Sequence, residues 1–246
     1  MNHNVRSIAE GYTQHFQIIP ASDDAMKRHC YRIRHEVYCT ELGYEAARLD
    51  HHEVDQFDSS ALHCLVRASG TSQYIGCARM IVSSPDWDDP RLPFERLCHG
   101  TLSPGLDEFL NRHRHMVAEV SRLAVIPEFR RSRPVTSDGT AQDTQPRIRL
   151  PHLTLGLYLG LIALARQRGI KHFFFLVERA LAASIERNGW KLWQVGDPIE
   201  HRGERIPYLA NLDQVVAGMS PYMKLFYERI EAELMGLMPS SDRKIG

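Results

Sequence analysis

The sequence predicts an α/β protein with a mixed sheet. Helical and extended segments alternate through its second half, and a hairpin pattern lies in its first half. Hydrophobic residues make up 43% of the chain and charged ones 24%, which suits a globular chain that buries a core. Its 246 residues are enough for one sizeable domain. Lys+Arg 30 cancels Asp+Glu 30, so no net field gathers nucleic acid or an anionic membrane, and no nucleic-acid partner is expected.

Residues 1–22 read as an N-terminal extension, with Glu10 and polar groups where a secretory signal would be apolar. Residues 23–42 predict a helix. Ser22 or Asp23 caps it, Met26, Cys30, Ile33 and Val37 recur on one face, and Gly43 stops it. An acidic stretch bearing histidines follows: Asp50, His51, His52, Glu53, Asp55, Asp58. Strand-like Ala61–Arg67 and Gln73–Val82, joined across residues 69–72, predict the hairpin. Residues 83–94, with Pro85, Pro90 and Pro93, read as a loop, and a helical piece is expected within 104–115.

Met116–Ile126 predicts a strand ended by Pro127. Residues 130–151 lack apolar periodicity and predict a mobile loop. A helix over about 152–167, the strand His172–Val177, a helix over 180–188 and the strand Lys191–Val195 complete the alternation. The domain is expected over 23–215. In the remainder, 216–246, Tyr222, Phe226, Ile230 and Leu234 mark a C-terminal helix from Pro221, followed by a tail. The apolar run Leu153–Ala165 is short of the roughly 20 residues of a membrane span. The five cysteines are scattered without a CxxC pair, which predicts reduced thiols and a cytoplasmic protein.

The thirteen histidines fit no HExxH or paired Cys/His spacing, so no metal site is expected. GxSxG, P-loop and GxGxxG patterns are absent as well. What stands out is Glu119-Val120-Ser121-Arg122-Leu123-Ala124-Val125, a strand built for burial that carries an acid, a hydroxyl and a base. In a regular strand Glu119 and Ser121 share one face and Arg122 takes the other. A core-facing carboxylate is costly unless it is paired, for instance with Arg79, or used as a general base. Composition leaves both readings open.

Four motifs in order carry a resemblance. Arg34-His35-Glu36-Val37-Tyr38, running on to Glu41 and Tyr44, resembles the opening motif of acyl-homoserine-lactone synthases and their relatives. Asp55-Gln56-Phe57-Asp58 resembles their acidic motif, Gly76-Cys77-Ala78-Arg79 their Gly-x-x-Arg strand, and Glu119-Val120-Ser121-Arg122 their Glu-x-Ser-Arg strand. The likeness is strongest to exosortase/PEP-CTERM-associated acyltransferases and N-acyl amino acid synthases. Gly189-Trp190 and Gly203-Glu204-Arg205-Ile206-Pro207-Tyr208 resemble their C-terminal half.

The resemblance implies a GNAT-like fold with a central mixed, twisted sheet flanked by helices. Its activity would be transfer of a long-chain fatty acyl group from an acyl-carrier-protein thioester to an amino acid or similar small amine. No bound cofactor is implied; the donor arm is the carrier's phosphopantetheine. A bulge in the Glu119 strand would let Glu119 and Arg122 serve one cleft. In that reading Glu119, Ser121 and Arg122 are catalytic, and Arg34, Tyr38, Tyr44, Asp55, Asp58, Arg79, Leu123 and Val125 bind substrate. Apolar residues within 153–161 and 173–175 would wall the acyl chain. The segment after Pro127 holds Arg130, Arg131 and Arg133 without the spaced glycines of a coenzyme A loop. That favours a carrier protein docked on these arginines, with Arg147 and Arg149, over coenzyme A. Closure to a homoserine lactone and a non-catalytic lipid or carrier sensor are the competing readings.

Overall fold

A computed structural model describes residues 16–69, 71–83, 87–130 and 150–237. The expected loop 130–151, Arg131, Arg133, Arg147, Arg149 and the tail after residue 237 fall almost wholly outside them. Eight strands form the sheet: β1 (Phe16–Pro20), β2 (Ala61–Ala68), β3 (Tyr74–Val82), β4 (Val117–Val125), β5 (His172–Val177), β6 (Trp193–Gln194), β7 (Ile199–Glu200) and β8 (Glu204–Asn211). They run in the order β1-β2-β3-β4-β5-β8-β6, with β7 paired to β8. Only β4 and β5 are parallel. This is the mixed GNAT-like sheet that the resemblance implied.

The helices are α1 (Asp24–Arg34), α2 (Pro93–Leu97), α3 (Leu106–His113), α4 (Pro127–Arg130), α5 (Leu150–Gln167), α6 (Arg179–Glu186), α7 (Leu212–Ala217) and α8 (Pro221–Leu237). Asp23 caps α1 by accepting the Met26 N–H at 2.8 Å. The expected single helix 23–42 is α1 continued by wider π-helical turns over His35–Glu41, which Gly43 at φ +63° ends.

Core packing follows strand alternation. Phe173 and Phe175 of β5 join a large apolar cluster with α1, α5 and α8, while Phe174 joins a smaller one with α2 and α3. Among the described residues no helix is long and apolar enough to cross a membrane. All five cysteines are buried and free.

Several expectations need correction. The sheet begins inside the segment read as an extension, because β1 pairs with β2 from Phe16↔Ala68 to Pro20↔Cys64. α5 lies close against β1 at Gly160, where a Cβ would meet Ile18 Cγ2 at 2.6 Å. The segment 83–94 is not all loop, since Pro93 opens α2. Of Lys191–Val195 only two residues pair as β6. β7 and β8, unforeseen in the sequence, complete the sheet beyond β5.

Candidate active site

The cleft begins where two parallel strands part. β4 pairs with β5 only from Val117↔His172 to Val120↔Phe175, although β4 runs on to Val125. On its other edge, β4 bulges. Arg79↔Ser121 and Cys77↔Ala124 are successive register pairs, so Arg122 and Leu123 face the single residue Ala78. Arg122 takes φ +53°, a left-handed conformation rare outside glycine. Gly76 gives the bulged strand room: a Cβ there would lie 3.0 Å from the Ala124 carbonyl oxygen. Tyr38, presented by the π-helical turns, ties the bulge down by donating its hydroxyl to the Leu123 carbonyl at 2.6 Å. The opening is a cavity of 440 Å³.

Glu119 forms part of the cavity wall with only 5% of its surface exposed. Its neighbours in register are Ile81 and Phe174, both fully buried. Phe94 stacks on Phe174 with ring centroids 4.5 Å apart, which holds the first turn of α2 over β4. From there the Phe94 N–H donates to Glu119 Oε2 at 2.8 Å. Burial pushes the Glu119 carboxyl up to about 7, against the Phe94 hydrogen bond and the charges of Arg79 and Arg122. The Glu119–Arg79 ion pair weighed from sequence is not made. Arg79 donates instead to Asp55 at 2.6 Å, Asp58 at 2.9 Å and Ser121 Oγ at 3.1 Å.

Behind the cavity lies a buried ionic network. Arg34, with no exposed surface, donates from Nη1 and Nη2 to Asp58 at 2.6 and 2.9 Å and from Nε to Glu53. Arg122 reaches Glu53, Glu45 and Asp55, each at about 3.2 Å, and lies 5.8 Å over the Tyr38 ring. The acidic loop is shaped locally: Asp55 accepts the Phe57 N–H, and Asp58 accepts the Asp55 N–H. Burial raises the Glu53, Asp55 and Asp58 carboxyls, but Arg34, Arg79 and Arg122 outweigh it and hold all three below the usual range. His63 sits 3.6 Å from Asp58; burial, with Arg34 and Arg79, lowers it to about 3, so it is neutral.

Of the residues singled out from sequence, Glu119, Ser121, Arg122, Leu123, Arg79, Tyr38, Tyr44 and Asp55 line the cavity. Arg34 and Asp58 brace it from behind. Val125 does not reach it; its side chain is buried in the large apolar cluster. Arg130 pairs with Glu41. Sequence reasoning passed over Glu45 and Glu53, which close the network, and Arg96, His201, Arg202 and Arg205, which line the mouth. Glu53 lies in the acidic stretch and Arg205 in the Gly203–Tyr208 segment. Their roles depend on a long-range approach that neither spacing announces.

The described residues thus build a GNAT-like sheet with a splayed parallel pair and a buried carboxylate at the split. The family profile described as acetyltransferase (GNAT) domain matches residues 33–137. An acyl-homoserine-lactone synthase of Rhizobium radiobacter is 24% identical over 170 residues, 69% of this chain and 70% of that one. Among solved structures, the chain is similar to the acyl-homoserine-lactone synthase LasI, with TM-score 0.58 and 18% identity over 83% of this chain and 95% of LasI. It is also similar to FeeM, an N-acyl amino acid synthase from uncultured soil microbes, with TM-score 0.55 and 12% identity over 86% and 97%.

Proposed function

We propose that the protein is a cytoplasmic N-acyltransferase that moves a long-chain fatty acyl group from an acyl-carrier-protein thioester to an amino acid or similar small amine. Glu119 carries the reading: a buried carboxylate with no cation partner among the described residues, raised to about 7, in the wall of a cleft. A carboxyl titrating there is half ionised at neutral pH and accepts a proton from an ammonium group.

In this mechanism the acyl thioester enters where β4 and β5 part. The β4 backbone past Val120, uncovered on the β5 side, supplies amides for the oxyanion. Glu119 takes a proton from the incoming amine. The amine nitrogen then bonds the thioester carbon, the C–S bond breaks, and the departing thiolate takes up the second proton that the nitrogen sheds. Arg79 and the bulged Arg122 hold Ser121 and the acidic loop in place around the reacting atoms. The acyl chain runs along Val120, Leu123 and Phe175 toward Tyr158 and Leu181. A second cavity, of 120 Å³ and lined by Leu155, Ile185 and Trp190, adjoins there and shares Tyr158 and Leu181.

The test is intact-mass spectrometry of long-chain acyl carrier protein mixed with the enzyme and the twenty amino acids, with acyl-coenzyme A in parallel. Loss of acyl mass that requires both an amine and Glu119 is the expected result. Turnover of acyl-coenzyme A alone reassigns the donor, a homoserine lactone formed with S-adenosylmethionine reassigns the product, and no transfer from either donor overturns the proposal.

A further inference from the structure

The mouth of the cleft carries guanidinium groups that the acyl-transfer step does not use, each paired with one carboxylate: Arg96 with Asp89, Arg202 with Glu45 and Arg205 with Glu178. Five arginines line the cavity, Arg79, Arg96, Arg122, Arg202 and Arg205, against the carboxylates of Asp55 and Glu119. Arg79 and Arg122 are bound into the network behind it. Arg202 and Arg205 belong to the β7–β8 hairpin, whose register pairs Ile199 with Arg205 and Glu200 with Glu204.

The hairpin turn is held in an uncommon shape. Arg202 has φ +57° and Gly203 φ +91°, with the Gly203 N–H donated to Glu200 Oε1 at 2.8 Å. A left-handed arginine is strained and persists where its surroundings fix it. Here Glu45 fixes it: Arg202 Nη2 donates to Glu45 Oε1 at 2.6 Å, and Arg122 Nη2 reaches the same oxygen at 3.2 Å. The cleft's two left-handed arginines, one from the β4 bulge and one from the hairpin, are thus tied to one carboxylate. That tie joins the hairpin, which continues the sheet beyond β5, to the segment that carries Glu45.

Among the described residues, Arg202 makes no hydrogen bond from Nε or Nη1. Arg205 gives Nη1 to Glu178 at 2.6 Å and to the Glu204 carbonyl, and makes none from Nε or Nη2. His201 lines the cavity beside them; burial and the two arginines lower its pKa, so its ring is neutral and adds no charge of its own. Two guanidinium groups with open donors on one side of a cavity that also holds Glu119 are arranged for an oxyanion.

The geometry points to Arg202 and Arg205 as the clamp for the acceptor's carboxylate, making the enzyme select α-amino acids over plain amines. This rests on the acyltransferase reading and specifies its acceptor. The same chemistry suits the phosphodiester of the donor's pantetheine arm, and the two sources differ in which substrate the clamp affects. The hairpin's tie to Glu45 holds Arg202 in the wall of the same cavity as Glu119, the group that takes the acceptor's proton in the proposed reaction.

The test compares an amino acid with its decarboxylated amine as acceptors for wild type, Arg205→Met and Arg202→Met, with donor KM measured alongside. Wild type is expected to favour the amino acid. In Arg205→Met its KM rises at least about tenfold, the loss expected for a charge-assisted hydrogen bond, while KM for the decarboxylated amine stays within about twofold. Arg202→Met, at a more exposed position, shows the same selectivity, and Arg205→Lys recovers part of it. A rise confined to donor KM overturns the assignment in favour of the phosphodiester. Unchanged acceptor KM in both variants, or a wild type indifferent to the carboxylate, overturns it while leaving acyl transfer standing. A wild type that acylates no amine overturns the function and the clamp together. Calorimetric titration of an N-acylglycine against the matching N-acyl methylamide reads the same preference without turnover.

Discussion

Phe94 donates its backbone N–H to Glu119 Oε2 at 2.8 Å, and among the described residues that is the one hydrogen bond the carboxylate receives. A carboxylate between Ile81 and Phe174 with one amide for company is poorly stabilised in its charged form. The folded protein therefore holds the Glu119 proton to about pH 7, whereas the ordinary value is 4.5. Because the folded state binds this proton more tightly, the stability it contributes is full below about pH 4.5 and is lost as pH rises through about 7. The loss on going to alkaline pH is about 3 kcal/mol. Glu119→Gln keeps the acceptor for Phe94 and removes the charge. It is expected to abolish turnover yet be more stable than wild type at pH 8 by about 1–3 kcal/mol, with the difference gone near pH 4. Urea denaturation across that range measures it. A glutamine variant less stable at pH 8 would show that the charge is welcome where it sits. In wild type, kcat/KM should climb with pH through about 7.

The ionic network behind the cleft has the opposite pH dependence. Glu53, Asp55 and Asp58 are held below their usual values, so their contribution is present above about pH 4 and is lost as pH falls below that. Arg34→Met leaves Asp58 and Glu53 buried without their fully enclosed partner, and is expected to cost about 3–5 kcal/mol. With the arginine gone the carboxyls move back upward, so the variant's stability should also vary less with pH between about 2 and 5. Denaturation curves at pH 3 and pH 7 test both parts. A cost under about 1 kcal/mol would mean that the network contributes far less than its burial suggests.

The helices and the larger strands were legible because each has a local signature. Asp23 with Met26, Cys30 and Ile33 specifies α1, and the unbroken apolar run Phe173–Phe175 specifies a strand buried on both faces. β1 was missed because its four buried residues, Ile18 among them, show their purpose only against β2 and Gly160. The hairpin of β7 and β8 was missed for a similar reason: Arg202 and Arg205 are polar, and their places depend on Glu45 and Glu178, both distant in sequence. The site divides in the same way. Motif spacing picked out Arg34, Asp58, Arg79, Glu119 and Arg122. It did not show which carboxylate each arginine meets, because pairing across the fold is set by sheet register and by the bulge rather than by neighbours in the chain.

Gly76 allows a prediction about the bulge itself. It is the one residue of β3 whose missing side chain lets Ala124 and Val125 approach, with the Ala124 oxygen 3.0 Å and Val125 Cγ2 3.1 Å from where a Cβ would stand. Backbone on one side and a strand-fixed valine on the other leave little room to yield. Gly76→Ala is expected to destabilise the protein by about 1–3 kcal/mol by overpacking. It should also lower kcat more than acceptor KM, because it displaces the strand that carries Glu119 and Ser121. Thermal unfolding and steady-state kinetics separate the two effects. Full activity in a folded Gly76→Ala protein would mean that the bulge tolerates movement.

Leu181 stands between the 440 Å³ cleft and the 120 Å³ cavity and lines both. Its neighbour at that junction, Tyr158, is buried, so the leucine is the easier wall to remove. If the acyl chain runs toward this end, Leu181→Ala joins the two spaces and adds the volume of about four water molecules. Each further methylene that finds apolar lining there gains about 0.8 kcal/mol, or roughly fourfold in kcat/KM. The variant's preference should therefore shift to longer acyl chains by that factor per carbon until the added space is filled. Chains that wild type already handles should change little, beyond a stability cost of about 1–2 kcal/mol for trimming a half-buried leucine. A chain-length series of acyl donors, run with both proteins, reads the shift directly. An unchanged profile would place the acyl terminus elsewhere and remove the second cavity from the reaction.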